Sequence, residues 1–177
     1  LGRQGIEQAK CLGERLRDVR LDAIYTSPLK RARQTAEAIG KYHNLTPIED
    51  KRLMEINGGE LEGYSSERNA RLYPEQMYYL DARPSLFQAP GGESSRELYD
   101  RMVESIGSIA KRHPDGNVAV VSHGFAIQLY LGYAQKVPFD KVERYIVGNA
   151  SISIITYDDG FNVKAEIIND ETHIAKE

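Results

Sequence analysis

The sequence has little of what would indicate a disulfide scaffold, a metal centre or a membrane protein. It contains one cysteine, Cys11, and four histidines among 177 residues. No internal disulfide can form, and no Cys–His cluster has metal-ligand spacing. No apolar run approaches the roughly 18 residues that cross a bilayer, and no secretory signal is apparent. We therefore expect a cytoplasmic protein with no metal, no cofactor and no membrane partner.

A strong excess of charge of one sign is also missing. The formal net charge is -3, from 23 basic and 26 acidic residues, with no long basic stripe. This argues against nucleic acid as a partner. The composition, 41% hydrophobic and 28% charged, is that of an ordinary globular protein, and the length predicts a single domain over residues 1–177.

Helix and strand patterns alternate along the chain. Apolar periodicity predicts helices over about 4–18, 28–42, 94–113 and 124–133, and strands over about 21–26, 117–122, 152–157 and 161–168. The β-branched run at 117–122 is typical of a strand buried on both faces. The order predicts an α/β fold, a three-layer α/β/α sandwich with a mainly parallel sheet and an antiparallel edge strand.

Some predicted features lie outside this core pattern. Ser27 suits a helix N-cap, with Pro28 at the first helical position, and Ser94–Glu97 has the sequence of a capping box. Residues 65–90 are rich in Tyr, Arg and Pro and are interpreted as a helical lid over the pocket, or else a solvated helical insertion. The edge strand near Ser151–Thr156 could pair between subunits, which makes a homodimer possible.

His123 is the leading candidate for chemistry. It follows the apolar run 117–122, and Gly124 behind it opens a helix whose N–H groups favour an anion. In an open α/β sheet, ligands bind beyond the carboxyl ends of the strands. The alternative is a histidine that only caps the helix. The other three histidines, at 43, 113 and 173, lie at helix ends or in the tail and are expected to be structural.

Arg31 is the second candidate. Three cations, Lys30, Arg31 and Arg33, lie in the first turns of a helix, where they oppose the helix dipole. Such a local conflict is expected at functional sites. Arg31 is the better phosphate ligand because of its position at the strand's end and its planar fork. Lys30 and Arg33 are equally well explained as a solvated basic face.

Glu55 is the third candidate. It lies between the apolar residues Met54 and Ile56, so desolvation is expected to keep its carboxyl protonated near neutrality. Glu60 and Glu62 are flanked by glycines and are expected to be solvated. Together, the three candidates place a histidine, an arginine and an acid at neighbouring positions of one sheet edge.

These motifs, in this order, resemble those of the histidine phosphatase superfamily, which has the phosphoglycerate-mutase-like fold. The segment YTSPLKRARQTA (25–36) is similar to its phosphate-binding arginine motif, and VSHG (121–124) to its second catalytic histidine. Glu55 with Glu62-Gly63 resembles the proton-donor loop, although Leu61 replaces a frequent aromatic residue. Residues 5–16 resemble the first helix, and 92–94 with Arg101 resemble the start of the long helix.

One motif of that family has no counterpart in this chain. The resemblance implies an Arg-His-Gly strand before the first helix, carrying the histidine that becomes phosphorylated. We therefore expect either a fragment, with the first strand absent and the chain inactive by itself, or a non-catalytic relative. His123 matches the second histidine and is not expected to be the nucleophile.

The resemblance implies a metal-independent phosphomonoesterase that acts on a small phosphorylated metabolite through a phosphohistidine. Arg31, His123 and Gly124 would hold the phosphoryl group, and Glu55 would supply and recover a proton. A cofactor-dependent phosphoglycerate mutase is the nearest alternative, although the interval of 68 positions from Glu55 to His123 resembles that of the phosphatase branch. A binding module for phosphorylated ligands is the alternative from a different class.

Overall fold

The computed structural model describes residues 1–174. Its strands are β1 (Ala23–Thr26), β2 (Ile48–Glu49), β3 (Val118–Val121), β4 (Ile152–Tyr157) and β5 (Val163–Asp170). Its helices are α1 (Arg3–Leu16), α2 (Lys30–Gly40), α3 (Ser66–Leu72), α4 (Pro74–Ala82), α5 (Ser95–Arg112) and α6 (Gly124–Ala134), with short 3-10 turns at 51–53, 59–61, 84–86 and 139–141.

Three parallel strands form the central sheet, in the order β2-β1-β3. Tyr25 of β1 is in register with Ile48 on one side and Val120 on the other. All four residues of β1 are buried, as expected of a strand that has neighbours on both sides and helices on both faces. The carboxyl ends of β1 and β3 therefore lie side by side.

Helices cover both faces of this sheet. Ile24 of β1 packs with Leu12 of α1 and Ile39 of α2 in one cluster. Tyr25, which points to the opposite face, packs in a second cluster with residues of α5 and α6 that include Leu98 and Leu129. The α/β class and the parallel sheet predicted from the sequence are confirmed, and the helices form the two outer layers.

The β4–β5 hairpin forms a separate antiparallel sheet instead of a hydrogen-bonded edge of the central one. Ile152 packs against the α1–α2 cluster, as Val121 of β3 does. Ile155 packs against the α5–α6 cluster, as Val120 does. Because side chains alternate along a strand, β4 continues the plane of the central sheet beyond β3 without pairing with it. The predicted homodimer through this strand stays a prediction.

Two local predictions compare differently with the structure. The run 117–122 packs on both faces as expected, with Val118 and Val120 on one cluster and Ala119 and Val121 on the other. The four residues of β3 are only half-buried, because among the described residues β3 pairs only with β1. The predicted start of the second helix is wrong. Helix α2 begins at Lys30, not at Pro28. Leu29 is extended, and the Ser27 hydroxyl accepts the Leu29 N–H (3.3 Å), so Ser27 turns the chain into the helix without capping it.

Other boundaries agree with the sequence. The capping box at the start of α5 is present, with Ser94 and Glu97 bonded to each other's backbone N–H. The segment predicted as a helical lid contains α3, α4 and a 3-10 turn. None of the helices within residues 1–174 combines the length and the apolar character that crossing a bilayer requires. The predicted single domain stays a prediction, and its last residues, 175–177, lie outside the described residues.

Candidate active site

His123 lies between the end of β3 and the start of α6, 7% exposed. Both ring nitrogens have partners: Nδ1 accepts a hydrogen bond from Arg31 Nε (3.1 Å), and Nε2 lies 2.8 Å from the Ser27 hydroxyl. Two of the sequence-predicted residues, Arg31 and His123, are thus in direct contact. The contact exists because Arg31 follows β1 and His123 follows β3, at neighbouring strand ends.

The two contacts define the protonation of His123. An arginine cannot lose its proton in a protein, so Nδ1 must be the unprotonated nitrogen. Nε2 then carries the proton of the neutral ring and donates a hydrogen bond to the Ser27 hydroxyl. Burial, with the nearby charges of Arg31 and Arg101, lowers the pKa of His123 to about 4. The imidazole is therefore neutral at physiological pH and held in one tautomer.

Ser27 was read from the sequence only as a helix cap, and its contact with His123 was missed. Its side chain is fully buried at the end of β1, and its hydroxyl faces the imidazole directly. A serine between Thr26 and Pro28 gives no pattern by which sequence could place its hydroxyl against a residue 96 positions away. What could have been noticed is that a polar side chain buried at a strand end needs a partner.

Arg31 presents most of its guanidinium group to solvent. Its Nε is used by His123, and among residues 1–174 its two terminal nitrogens have no hydrogen-bond partner. Arg33, by contrast, pairs with Glu49 (3.4 Å) and Glu37 (3.9 Å) on the surface, as a solvated basic face would. Of these two arginines, Arg31 is the one whose fork is open beside a histidine.

Glu55 contacts the first turn of α6, the helix that follows His123. Its carboxyl oxygens accept the backbone N–H groups of Phe125 (3.0 Å) and Ala126 (3.1 Å) in the first turn of α6, and that of Ile56 (2.9 Å). The expectation of an acid desolvated among apolar side chains is therefore wrong. Glu55 is half-buried and is surrounded by hydrogen-bond donors, because the N-terminus of α6 leaves N–H groups that need acceptors.

Gly124 is the first residue of α6, immediately after His123. Glu55 uses the N–H groups of Phe125 and Ala126, whereas the Gly124 N–H has no acceptor among the described residues. A Cβ atom at Gly124 would meet nothing within 4 Å. The helix terminus therefore offers one unused donor on an exposed residue next to His123, where the partial positive charge of the helix favours an anion.

The segment that leads to Glu55 is anchored by Asp50. Its carboxylate accepts hydrogen bonds from the backbone and side chain of Arg52 and from the Ser105 hydroxyl of α5. Burial raises the pKa of Asp50, but these hydrogen bonds outweigh it and lower the pKa to about 2. The carboxylate ties the 3-10 turn at 51–53 to helix α5, and so fixes the start of the loop that carries Glu55.

We expect Asp50→Asn to lower the free energy of unfolding at pH 7 by about 1–2 kcal/mol, allowing for solvent screening at the partly exposed Arg52. Because the folded-state pKa is depressed to about 2, the stabilisation is complete above the unfolded pKa, about 3.9, and is lost as pH falls toward 2. Urea unfolding at several pH values measures this. Asp100→Asn, in an exposed pair with Arg96, is the control. A difference from wild type that stays constant between pH 5 and 3 would contradict the assignment.

Comparison with known proteins places this geometry in a family. The sequence profile of the histidine phosphatase superfamily (branch 1) matches residues 1–170. The chain belongs to the histidine phosphatase superfamily. The match covers the segments that carry Arg31, Glu55 and His123, and the similar proteins include ones named as phosphatases and ones named as phosphoglycerate mutases.

Individual relatives of this histidine phosphatase chain cover most of its length. Phosphoserine phosphatase 1 of Hydrogenobacter thermophilus is 34% identical over 163 residues, 92% of this chain and 77% of that protein. The metal-independent phosphoserine phosphatase of Arabidopsis thaliana is 33% identical, over 88% of this chain and 65% of that protein. The solved structure of Bacillus stearothermophilus YhfR superposes with a TM-score of 0.93 at 30% identity, covering 99% of this chain and 87% of that one.

Proposed function

We propose that this histidine phosphatase is a metal-independent phosphomonoesterase that acts on a small phosphorylated metabolite through a phosphohistidine. The observation that carries the proposal is the junction of Arg31 and His123 at the ends of β1 and β3. Arg31 contacts the His123 imidazole, and Gly124, with its unused N–H, follows His123 in the chain. Relatives named as phosphatases, one of them metal-independent, support the same chemistry.

The phosphoryl group would be held by the groups that have unused donors. The Arg31 fork can bond two phosphoryl oxygens at once, and the Gly124 N–H adds a donor at the positive end of α6. His123 completes the cradle when the anion displaces Arg31 Nε from Nδ1 and that nitrogen takes up a proton. These donors would stabilise the negative charge spread over the phosphoryl oxygens during transfer.

Glu55 would serve as the acid and then the base. Its Oε2 atom accepts one backbone N–H, from Phe125, which leaves a position for a proton aimed at the leaving group. In the first step the P–O ester bond breaks, and the departing oxygen takes that proton as the new P–N bond forms. In the second step Glu55 removes a proton from the water that attacks phosphorus, and the P–N bond breaks.

His123 is a poor candidate for the nucleophile, because in the neutral ring Nε2 carries a proton and Nδ1 accepts from Arg31. We place the phosphorylated histidine on a further strand that pairs with β3. The N–H groups of Asp22 and Ser27 donate to the carbonyls of Asn117 and Val121, which therefore face β1. Backbone groups alternate in direction along a strand, so the groups of β3 between these two carbonyls include some that face away from β1.

The position of the hairpin supports this placement. Ile152 and Ile155 of β4 pack on the same two clusters as Val121 and Val120 of β3, yet the strands do not pair among the described residues. The unpaired edge of β3 and the position of β4 leave a place between them that one further strand could occupy. If that strand ran parallel to β3, its carboxyl end would lie beside His123.

The test is a phosphoester panel on the natural full-length protein with EDTA present, at pH 5 to 8. It should include O-phosphoserine, because two relatives are named phosphoserine phosphatases. We expect release of inorganic phosphate that EDTA does not reduce. No turnover on any ester would overturn the proposal and, with retained phosphate binding, would indicate a binding module. Stimulation by 2,3-bisphosphoglycerate with an isomerised product would indicate a mutase.

The Gly124→Ala variant tests the anion position without removing a charge. We expect it to fold with at least wild-type stability, because its methyl group meets no atom within 4 Å and alanine favours helices. The methyl group would instead obstruct the approach of an anion to the backbone N–H, weakening orthovanadate binding by roughly tenfold. Titration calorimetry measures the affinity. Gly107→Ala, equally unobstructed and inside α5, should bind as wild type; equal binding by both variants would contradict the anion position.

A further inference from the structure

An ion pair lies directly beneath the loop that carries Glu55. Arg101 of α5 donates from Nε to one oxygen of Glu93 (2.6 Å) and from Nη2 to the other (2.8 Å). The pair is largely shielded from solvent, since the two side chains are 21% and 15% exposed. A shielded pair of this kind is a weak source of stability, so its other contacts decide what it does.

Arg101 uses its remaining donors on the backbone around Glu55. Nη1 donates to the carbonyls of Arg52 and Met54 (2.7 Å each), and Nη2 donates to the carbonyl of Glu55 itself (3.1 Å). One guanidinium group therefore bonds three carbonyls within four residues. Each of these carbonyls would otherwise need another partner, so the side chain of Arg101 fixes the path of the backbone up to Glu55.

Glu93 fixes the backbone on the other side of Glu55. Its Oε2 accepts the N–H of Asn57 (3.1 Å), and its own N–H donates to the Asn57 carbonyl (2.8 Å). The following turn is held as well, because Glu60 donates its N–H to the Pro90 carbonyl (2.8 Å). The ion pair thus holds the chain both before and after Glu55.

We propose that Arg101 and Glu93 are positioning residues for the acid, holding the Glu55 carboxyl against the first turn of α6. The loop has no regular helix or strand at residues 54–58 that would fix the direction of this side chain. The backbone contacts of the ion pair take that role, and the N–H groups of Phe125 and Ala126 receive the carboxyl at the correct place.

The positioning is testable without catalysis. In Arg101→Gln and Arg101→Lys, the amides of Phe125 and Ala126 should exchange with solvent roughly tenfold faster than in wild type, because Glu55 no longer holds them. Arg96→Gln is the matched control, since Arg96 lies on the same helix in an exposed pair with Asp100. Wild-type exchange at both amides in the folded Arg101 variants would overturn the proposal.

The second measurement rests on the proposed function and uses the full-length protein. Arg101→Gln should lower kcat/KM on O-phosphoserine, an alkyl phosphate, at least tenfold more than kcat/KM on p-nitrophenyl phosphate, whose leaving group needs no proton. The ratio kcat/KM reports the first step, whereas kcat also contains the second step, which the two substrates share. In a Glu55→Gln background, Arg101→Gln should have no additional effect, because the acid it positions is already gone. Equal losses on both substrates, or losses that multiply, would indicate a purely structural role and overturn the proposal.

The two measurements separate this inference from the proposed function. If wild type hydrolyses no ester, or if Glu55→Gln shows no dependence on the leaving group, the proposed function fails. Faster exchange of the Phe125 and Ala126 amides would still establish that Arg101 positions Glu55. If wild type and Glu55→Gln behave as proposed and the Arg101 variants behave like wild type, only the positioning role is refuted.

Discussion

Arg31→Ala is expected to lower kcat of the full-length protein on O-phosphoserine by roughly 10²–10³-fold, the usual cost of removing a donor aimed at charge that develops in the transition state. The loss has two physical sources. The variant removes the only open guanidinium fork that contacts His123 within residues 1–174, and it leaves the His123 Nδ1 atom without its donor. Steady-state kinetics with EDTA present measures the effect.

Two related variants make the Arg31 prediction specific. Arg31→Lys keeps the positive charge but lacks the planar fork that bonds two phosphoryl oxygens at once, so it should recover only part of the lost activity. Arg33→Ala, two residues along the same helix, removes a surface arginine that pairs with Glu37 and Glu49, and should act as wild type. Activity in Arg31→Ala within a factor of about three of wild type would contradict a phosphoryl role for Arg31.

Glu55→Gln is expected to lower kcat on O-phosphoserine by roughly 10²–10⁴-fold, the range for loss of a general acid. On p-nitrophenyl phosphate the loss of the first step should be much smaller, because that leaving group departs without a proton. Glutamine also has an NH₂ group in place of one carboxylate oxygen. That group cannot accept the backbone N–H of Phe125 or Ala126 as Glu55 does. Comparing kcat/KM, which reports the first step, for the two substrates isolates the transfer of the proton to the leaving group from this structural change.

The control for Glu55 lies on the same loop. Glu62 also accepts a backbone N–H, from Gly58 (2.8 Å), but it is exposed, and it has no hydrogen bond to α6 among the described residues. Glu62→Gln should leave kcat/KM on both substrates unchanged. If Glu55→Gln lowered kcat/KM on the two substrates equally, Glu55 would be a structural cap of α6, and the acid would have to be another group.

The sequence predicts which residues come together in the site better than it predicts the contacts between them. Arg31 and His123 follow strands that the apolar patterns identify, and parallel strands place their carboxyl ends together. The contact between them is therefore predictable in kind. Sequence gives no such rule for Glu55, which approaches from a loop. The direction of the Glu55 side chain depends on the hydrogen bonds that Arg101 donates, and Arg101 lies 46 positions further along the chain.

The errors have a common physical origin in tertiary contacts. The apolar run at 117–122 has the composition of a strand packed on both faces, but the depth of its burial depends on which strands pair with it, and among the described residues β3 pairs only with β1. Ser27 is a residue type that favours helix caps, but its hydroxyl lies against His123 and does not cap α2. Local propensity was correct about the strand, wrong about the cap, and uninformative about the neighbours of both.

If Arg31, His123 and Gly124 bind a phosphoryl group, nuclear magnetic resonance should detect the binding at the ring nitrogens of His123. Without ligand, burial and the charges of Arg31 and Arg101 hold the pKa of His123 at about 4, so at pH 6.5 Nδ1 should have the signal of an unprotonated nitrogen. On titration with orthovanadate in EDTA, we predict that Nδ1 becomes protonated and that the Gly124 amide shifts with the same saturation curve. Saturable binding that leaves the His123 nitrogens and the Gly124 amide unchanged would contradict the account.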